Sequence, residues 1–260
     1  MQIKKTRSRF PVVQQPVRRS MVDAKKMISL FCLGLLFLLP GRSPAQTASP
    51  ANSADLQKVI TQLNAAAAKF ESAQADFSWD QYQAVVQEDD VQTGTIYFER
   101  KKGGTRTAAY LKKDNGKDAL KTVVYDNGEA QFYEPNIKQL TILRAGANRG
   151  QWESFLTLGF GGSGTDLQAN WKVSLLGSES MNGVQVAKLD LVPLQQKVLD
   201  MFTHVTIWID PTQGISYKQI FFEAGGDRRT ATYKNIRYNQ PIPNDVFVIK
   251  PAPGTNRVVR

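Results

Sequence analysis

Two side chains that carry much of protein chemistry are almost missing from this chain. Its 260 residues include one cysteine, Cys32, and one histidine, His204. Zinc sites and Cys-His catalytic pairs need several such side chains close together, so neither can be built here from the usual ligands. A lone cysteine also excludes a disulfide within the chain.

Other catalytic patterns are missing as well. The tripeptide Gly162-Ser163-Gly164 lacks the strand and helix that surround a nucleophilic serine, and no glycine motif that would cradle phosphate is present. Acidic pairs such as Glu88-Asp89-Asp90 and Asp114 with Asp118 fall in predicted turns, which favours a solvated or cation-binding surface over a glycosidase pair. We therefore expect no enzyme, no metal site and no cofactor.

Long apolar runs are also scarce, and the one near the N-terminus predicts a signal peptide. Lys25 and Lys26 precede Met27 to Leu39, which is uncharged and almost wholly apolar and is followed by Pro40-Gly41 and the small residues of Ser43-Pro44-Ala45. A run of 13 residues is too short for a comfortable membrane span. Residues 1–45 are therefore predicted to be a cleaved signal peptide of a periplasmic protein.

Two details of this leader stay open. Translation could start at Met1 or at Met21. Arg18-Arg19 would suit a twin-arginine export signal, as an alternative to the general secretory route. The sequence favours the general secretory route, because no matching hydrophobic pair follows the two arginines closely.

The positive charge of the chain belongs to the leader. The full chain has a formal charge of +10, but residues 1–45 contain nine basic residues and one acidic residue. The remaining 215 residues carry 24 basic and 22 acidic side chains, a net charge of +2. A strongly basic surface is what nucleic acids require, so no nucleic-acid partner is predicted.

The chain after the leader is predicted to be one domain, residues 55–260, behind a disordered polar tether at 46–54. Apolar residues at three- and four-residue steps predict a helix from Asp55. They are Leu56, Val59, Ile60, Leu63, Ala67 and Phe70. A second short helix is predicted in Gln151 to Phe160, beside a glycine-rich loop, 161–164, that can move.

Alternating patterns predict about ten strands elsewhere. Asp126-Asn127-Gly128 favours a tight hairpin turn, and Pro135 forces another turn before the next strand. An apolar insertion from Pro193 to Phe202 is predicted to be a short helix or a mobile rim, and 241–248 to be an edge strand. The fold class is mainly β (α+β), and an incomplete antiparallel β-barrel is favoured over an α/β arrangement.

In the order of these features the chain resembles the LolA family of lipoprotein carriers. The D-G…FY-x-P block is the most specific part of the resemblance. The matching segments are Ala75–Phe77, Gly94–Arg100, Val124–Gly128, Phe132–Pro135, Gln139–Thr141, Phe202–Ile209, Asp210–Gly214 and Phe247–Pro251 with Pro253-Gly254.

This resemblance implies an incomplete barrel whose apolar cavity is covered by short helices and takes lipoprotein acyl chains. It further implies a monomeric carrier between an inner-membrane release complex and an outer-membrane acceptor. Arg100 falls at the family arginine that holds the lid closed, although Lys101-Lys102-Gly103-Gly104 replaces the proline and aromatic residues that usually follow. Without the resemblance, Arg100 would be read equally well as a strand-end cation that faces water.

Apolar residues in the segments around the implied cavity are predicted to line it or its lid, with ordinary core packing as the alternative for each. They are Phe77, Trp79, Ile96, Phe98, Tyr133, Phe155, Leu156, Leu158, Val198, Met201 and Phe202.

Two other functions stay open at this point. One is a lipid-binding or lipoprotein-binding sensor or regulator of the same fold, which would signal through a partner. The other is a hydrolase of envelope polymers, which would need paired carboxylates in a cleft, with Glu88 and Asp114 as the residues to test.

Overall fold

The computed structural model describes residues 50–102, 104–146 and 149–260. The predicted signal peptide and the first residues of the predicted tether lie outside these ranges. The helices are α1 (Pro50–Lys69), α2 (Arg149–Leu156), α3 (Gly164–Asn170) and α4 (Gln196–Leu199), and two 3₁₀ turns cover Pro135–Ile137 and Asn244–Phe247. The strands are β1 (Ser72–Gln83), β2 (Glu88–Lys101), β3 (Gly104–Asp114), β4 (Lys117–Asp126), β5 (Glu129–Glu134), β6 (Gln139–Arg144), β7 (Trp171–Met181), β8 (Val184–Pro193), β9 (His204–Asp210), β10 (Ile215–Phe222), β11 (Arg228–Tyr238) and β12 (Asn256–Val259).

All twelve strands form one sheet in the order β12-β6-β5-β4-β3-β2-β1-β11-β10-β9-β8-β7. Every neighbouring pair is antiparallel except β12 and β6, which are parallel. The sheet does not close on itself, since β12 and β7 are its two edges. The predicted mainly β fold, an incomplete antiparallel barrel with few helices, is confirmed.

Tight turns connect the strands where the sequence predicts them. Asn127 and Gly128 have φ angles of 49° and 81°, and the strands pair directly on either side, Asp126 with Glu129. These positive angles are what a two-residue hairpin turn of this type requires. The β7–β8 turn repeats the arrangement at Asn182 and Gly183.

The two faces of the sheet are covered by different parts of the chain. Helices α1 and α2 lie over one face, here called the inner face, where Phe70, Phe98 and Phe160 belong to one buried cluster, and Leu63 and Ile207 to a second. The C-terminal segment after β11 covers the other, outer face.

Helix α1 begins at Pro50, earlier than the predicted start at Asp55, so residues 50–54 of the predicted tether are helical. The register of β1 against β11 shifts between Gln74 and Asp76.

The edge strand predicted at 241–248 is also wrong. Pro243 cannot donate a ladder hydrogen bond, and its carbonyl instead accepts from the Val246 N–H at 3.2 Å in a 3₁₀ turn. Tyr110 Oη donates to the carbonyl of Val246 at 2.7 Å, which ties this turn to the outer face. The edge strand is β12, further along the chain, because Asn256 to Val259 find an open edge at β6.

Candidate functional site

A cavity of about 890 Å³ lies between the inner face of the sheet and helix α2. Strands β1, β2, β3, β4, β10 and β11 supply its walls, and α2 with the residues after it supplies its cover. Seven residues predicted from the sequence line it: Trp79, Ile96, Phe98, Phe155, Leu156, Leu158 and Phe202. Apolar or aromatic residues that the prediction missed complete the lining: Ala109, Ala119, Val123, Phe160, Phe221, Ala231 and Tyr233.

Aromatic side chains shape the deep end of the cavity. Phe98 stacks on Phe160 with ring centroids 3.9 Å apart, and the rings of Phe160 and Tyr233 meet edge to face with centroids 4.8 Å apart. Phe160 follows α2 and bridges to Ile215. It was missed because one aromatic residue after a short helix gives no period from which its direction can be read.

Four predicted lining residues lie elsewhere. Phe77 is buried behind the wall, where its ring stacks on Trp79 with centroids 4.2 Å apart. Val198 is buried in the cluster beneath α1, and Met201 is exposed. Tyr133 belongs to the outer side, since its hydroxyl accepts a hydrogen bond from the Ala252 N–H at 3.0 Å.

A buried polar pair borders the apolar wall. Gln219, 4% exposed, donates from Nε2 to the carbonyl of Leu158 at 2.6 Å and accepts from Tyr233 Oη at 3.4 Å. Burial raises the pKa of Tyr233, so its hydroxyl keeps its proton. The hydrogen bond to Leu158 fixes the chain just after α2, and no pattern in the sequence indicated it.

Arg100 joins the two parts of the chain that cover the inner face. Its Nη1 donates to the carbonyl of Ala67 in α1, and its Nη2 donates to the carbonyl of Gly161, after α2, at 2.5 Å. The guanidinium also lies over the ring of Phe70, 5.4 Å from the centroid. Arg100 is an exposed residue whose guanidinium nevertheless contacts both parts of the cover.

The glycine-rich segment predicted to move is packed tightly in this structure. A Cβ atom on Gly161 would come within 2.3 Å of the Phe70 ring, and one on Gly164 within 2.6 Å of the Ile60 carbonyl oxygen. Ser163 Oγ accepts from the Asp166 N–H at 2.9 Å and caps α3. The glycines thus let the segment approach α1 closely.

The other end of the cover is fixed by polar contacts. Glu153, in α2, accepts hydrogen bonds at the same oxygen from Tyr125 Oη at 3.1 Å and from Arg149 Nε at 2.7 Å. Arg149 also donates to Asn127 Oδ1 in the β4–β5 turn at 2.9 Å. Burial and the Glu153 carboxylate together raise the pKa of Tyr125 to about 12.

Glu88 and Asp114, the carboxylates to test for a hydrolase, do not lie opposite each other in paired strands. Glu88 is exposed at the start of β2 opposite Gln83, whereas Asp114 ends β3 opposite Gln92.

His204, the one histidine of the chain, stacks on Phe222 with ring centroids 4.2 Å apart. Among the described residues, no three His, Cys, Asp or Glu side chains are grouped to hold a metal ion, and no helix is long and apolar enough to cross a membrane.

Neither the protein-family models nor the curated proteins contain a match to this sequence. Solved structures do match it. An uncharacterized conserved protein from Thermus thermophilus has a TM-score of 0.52 at 11% identity, over 79% of this chain and 99% of that one. MucB has a TM-score of 0.50 at 15% identity over 79% of this chain, which spans only 66% of MucB. A LolA superfamily protein from Nitrosomonas europaea has a TM-score of 0.38 at 12% identity, over 75% of this chain and 97% of that one.

At such identities a structural match shows a shared fold and nothing finer. The fold described above is an open antiparallel sheet whose inner face is covered by short helices over a cavity. The chain therefore shares this fold with the Thermus thermophilus protein and with the matched part of MucB.

Proposed function

We propose that this protein is a non-catalytic carrier that binds lipid acyl chains in the cavity beneath α2. The observation that carries the proposal is the cavity itself, whose volume of about 890 Å³ and mostly apolar walls match those of small-molecule sites. The Phe98–Phe160 stack lines its deep end and the side chains of Phe155 and Leu156 lie on its cover.

The physics of acyl chains explains why such a cavity is useful. Burial of one methylene group is worth about 0.8 kcal/mol, so a chain of about 15 methylenes gains roughly 12 kcal/mol when it leaves water. A lipidated molecule therefore does not cross an aqueous compartment unaided. A carrier must offer comparable apolar area and must also open to release its cargo, which suits a cover fixed by a few hydrogen bonds.

The finer assignment follows the family resemblance. The protein would act in the periplasm, exported by the signal peptide in residues 1–45, and would take lipoprotein acyl chains from an inner-membrane release complex to an outer-membrane acceptor. Arg100 would hold the cover closed through Ala67 and Gly161 until the cargo arrives.

The experiment that tests the proposal is native mass spectrometry with lipid extraction on protein made from the full chain with its own leader. The test variant is Phe155→Asp, which places a carboxylate on the cavity wall. The control variant is Val248→Asp, which adds the same charge at an exposed apolar position outside the cavity. We expect bound acyl species in the native protein and the control, and their loss in Phe155→Asp.

Either of two results would contradict the proposal. One is a native protein that carries no lipid and takes up none from added lipoprotein. The other is equal lipid in both variants. A lipid-free protein that still binds a protein partner would instead favour the regulator of the same fold.

A further inference from the structure

The cavity has one polar end, formed where several strands end together. Strand pairing sets Asp80 opposite Val91 in β2 and opposite Thr230 in β11, and sets Gln92 opposite Asp114 in β3. The charged residues that line the cavity all lie at this end, here called the mouth: Asp80, Asp90, Asp114, Lys117, Asp118 and Arg229. Most of them are exposed to water, so a polar group of a bound ligand would lie here while its apolar part lies deeper.

The mouth carries net negative charge after its ion pairs are counted. Four of its side chains are acidic and two are basic. Arg229 is already paired with Glu223 at 2.9 Å, and Asp118 with Lys113 at 2.6 Å. Each of these pairs is close to neutral, so they leave three acidic side chains against one basic side chain.

The donors that reach the remaining acids do not cancel their charge. Asp90 accepts hydrogen bonds from Gln83 Nε2 at 3.0 Å and from Asn115 Nδ2 at 2.8 Å, and both of these donors are neutral. The guanidinium of Arg228 lies over the Tyr82 ring, 4.0 Å from its centroid, and its charge acts on Asp80 in the opposite direction to that of the neighbouring Asp89. The mouth therefore favours a cationic or neutral group over an anion.

One carboxylate oxygen of Asp80 has no hydrogen-bond donor among the described residues. Its Oδ1 atom is shielded from solvent and accepts no hydrogen bond from the described part of the chain. A buried acceptor without a donor is costly, and natural structures contain few of them. Burial raises the pKa of Asp80, and the charge of the neighbouring Asp89 and a hydrogen bond with its side chain act in the same direction, while Arg228 acts against them.

We propose that Asp80 receives the polar head of the bound ligand, and that this head carries an ammonium group or another N–H or O–H donor and no net negative charge. The inference rests on the proposed function, since it assumes that the acyl part occupies the cavity. The inference narrows the expected ligands to acyl lipids whose head is neutral overall or cationic. An anionic head would be repelled by Asp80, Asp90 and Asp114 at the mouth.

The test is competition between two lipids with identical acyl chains. Vesicles containing equal amounts of phosphatidylethanolamine and phosphatidylglycerol are incubated with the protein and removed, and the lipids bound to the protein are quantified by mass spectrometry. Phosphatidylethanolamine offers an ammonium donor and no net charge, whereas phosphatidylglycerol is an anion. We expect a severalfold excess of phosphatidylethanolamine on the native protein.

The variant Asp80→Asn keeps the shape of the side chain and removes its charge. We expect it to bind lipid but to lose most of the preference. Asp245→Asn removes one negative charge at an exposed position on the outer side and should keep the preference.

Equal binding of the two lipids by the native protein, or a preference that Asp80→Asn leaves unchanged, would overturn this inference alone. Uptake of neither lipid by the native protein would overturn this inference, and the carrier proposal falls with it if the protein also takes up no acyl species from added lipoprotein.

Discussion

The guanidinium of Arg100 and the carbonyl oxygen of Gly161 are joined by a 2.5 Å hydrogen bond across the top of the inner face. The same guanidinium also donates to Ala67 in α1. One strand residue therefore connects a helix with the segment that follows the cavity cover. Because both acceptors are backbone carbonyls, the contact depends on the position of the chain at these points and not on the side chains there.

Replacement of Arg100 by glutamine should loosen the cover. Glutamine is shorter and cannot reach both carbonyls in the fork geometry of a guanidinium. We expect faster amide hydrogen exchange in residues 157–164 and at the end of α1, with the sheet unchanged.

The matched control for this change is Arg106→Gln. Arg106 donates to Glu99 at 2.7 Å and lies over the Phe247 ring on the outer face. Its replacement therefore removes one positive charge, as the Arg100 variant does, and breaks the ion pair with Glu99. Faster exchange in 157–164 in this control too, or none in the Arg100 variant, would show that Arg100 does not hold the cover.

Gly161→Ala should destabilise the fold more than Gly183→Ala. Both glycines have a positive φ, +74° and +80°, so both changes carry a backbone cost of about 1–2 kcal/mol. Only at Gly161 would the new Cβ collide with Phe70, whereas Gly183 has nothing within 4 Å. Overpacking of this kind adds about 1–3 kcal/mol, which chemical denaturation of the two variants would measure. Equal free energies of unfolding would mean that the segment moves aside freely.

Asp80→Asn should stabilise the ligand-free protein at neutral pH. The folded-state pKa of Asp80 is raised above 3.8, chiefly by burial and then by the neighbouring Asp89, with Arg228 acting in the opposite direction. The folded state thus binds the proton more tightly than the unfolded state, so ionisation of this carboxyl opposes folding increasingly as the pH rises above the unfolded-state value of 3.8, and the full cost is reached above the folded-state pKa. The stability gain of the variant should therefore be present at pH 7 and vanish as the pH falls to about 3.8, the ordinary value. Melting temperatures at the two pH values would reveal it, and a gain that persists at the lower value would refute this account.

Tyr125→Phe should free α2 without opening the sheet. The change removes the hydroxyl that donates to Glu153 at 3.1 Å. Tyr110→Phe is the control, since it removes a hydroxyl that donates to Val246 on the outer face at 2.7 Å. Each variant should lose about 1 kcal/mol of stability, as is typical for one hydrogen bond. Faster exchange in α2 is expected for Tyr125→Phe alone, and an identical exchange pattern in the two variants would argue against a role for Tyr125 in holding α2.

Local sequence signals determined most of the strands and turns. Asn127-Gly128 fixes its hairpin because both residues accept a positive φ. Pro135 likewise marks the turn before the next strand, since a 3₁₀ turn covers Pro135–Ile137 ahead of β6. By contrast, α3 was not predicted, because Gly164–Asn170 is short and polar and its helix depends on the Ser163 cap and on packing against α1.

The sequence by itself determined that this protein is mainly β, that its N-terminal helix has one apolar stripe, and that Trp79, Phe98 and Phe155 belong to an apolar interior. Those properties follow from residue periodicity, which is local. The tertiary structure alone decided which apolar residues surround empty space and which fill it, because that depends on how α2 lies over six strands. It also decided that Tyr133 faces the outer side and that Asp80 lacks a donor, since both depend on contacts between residues distant in the chain.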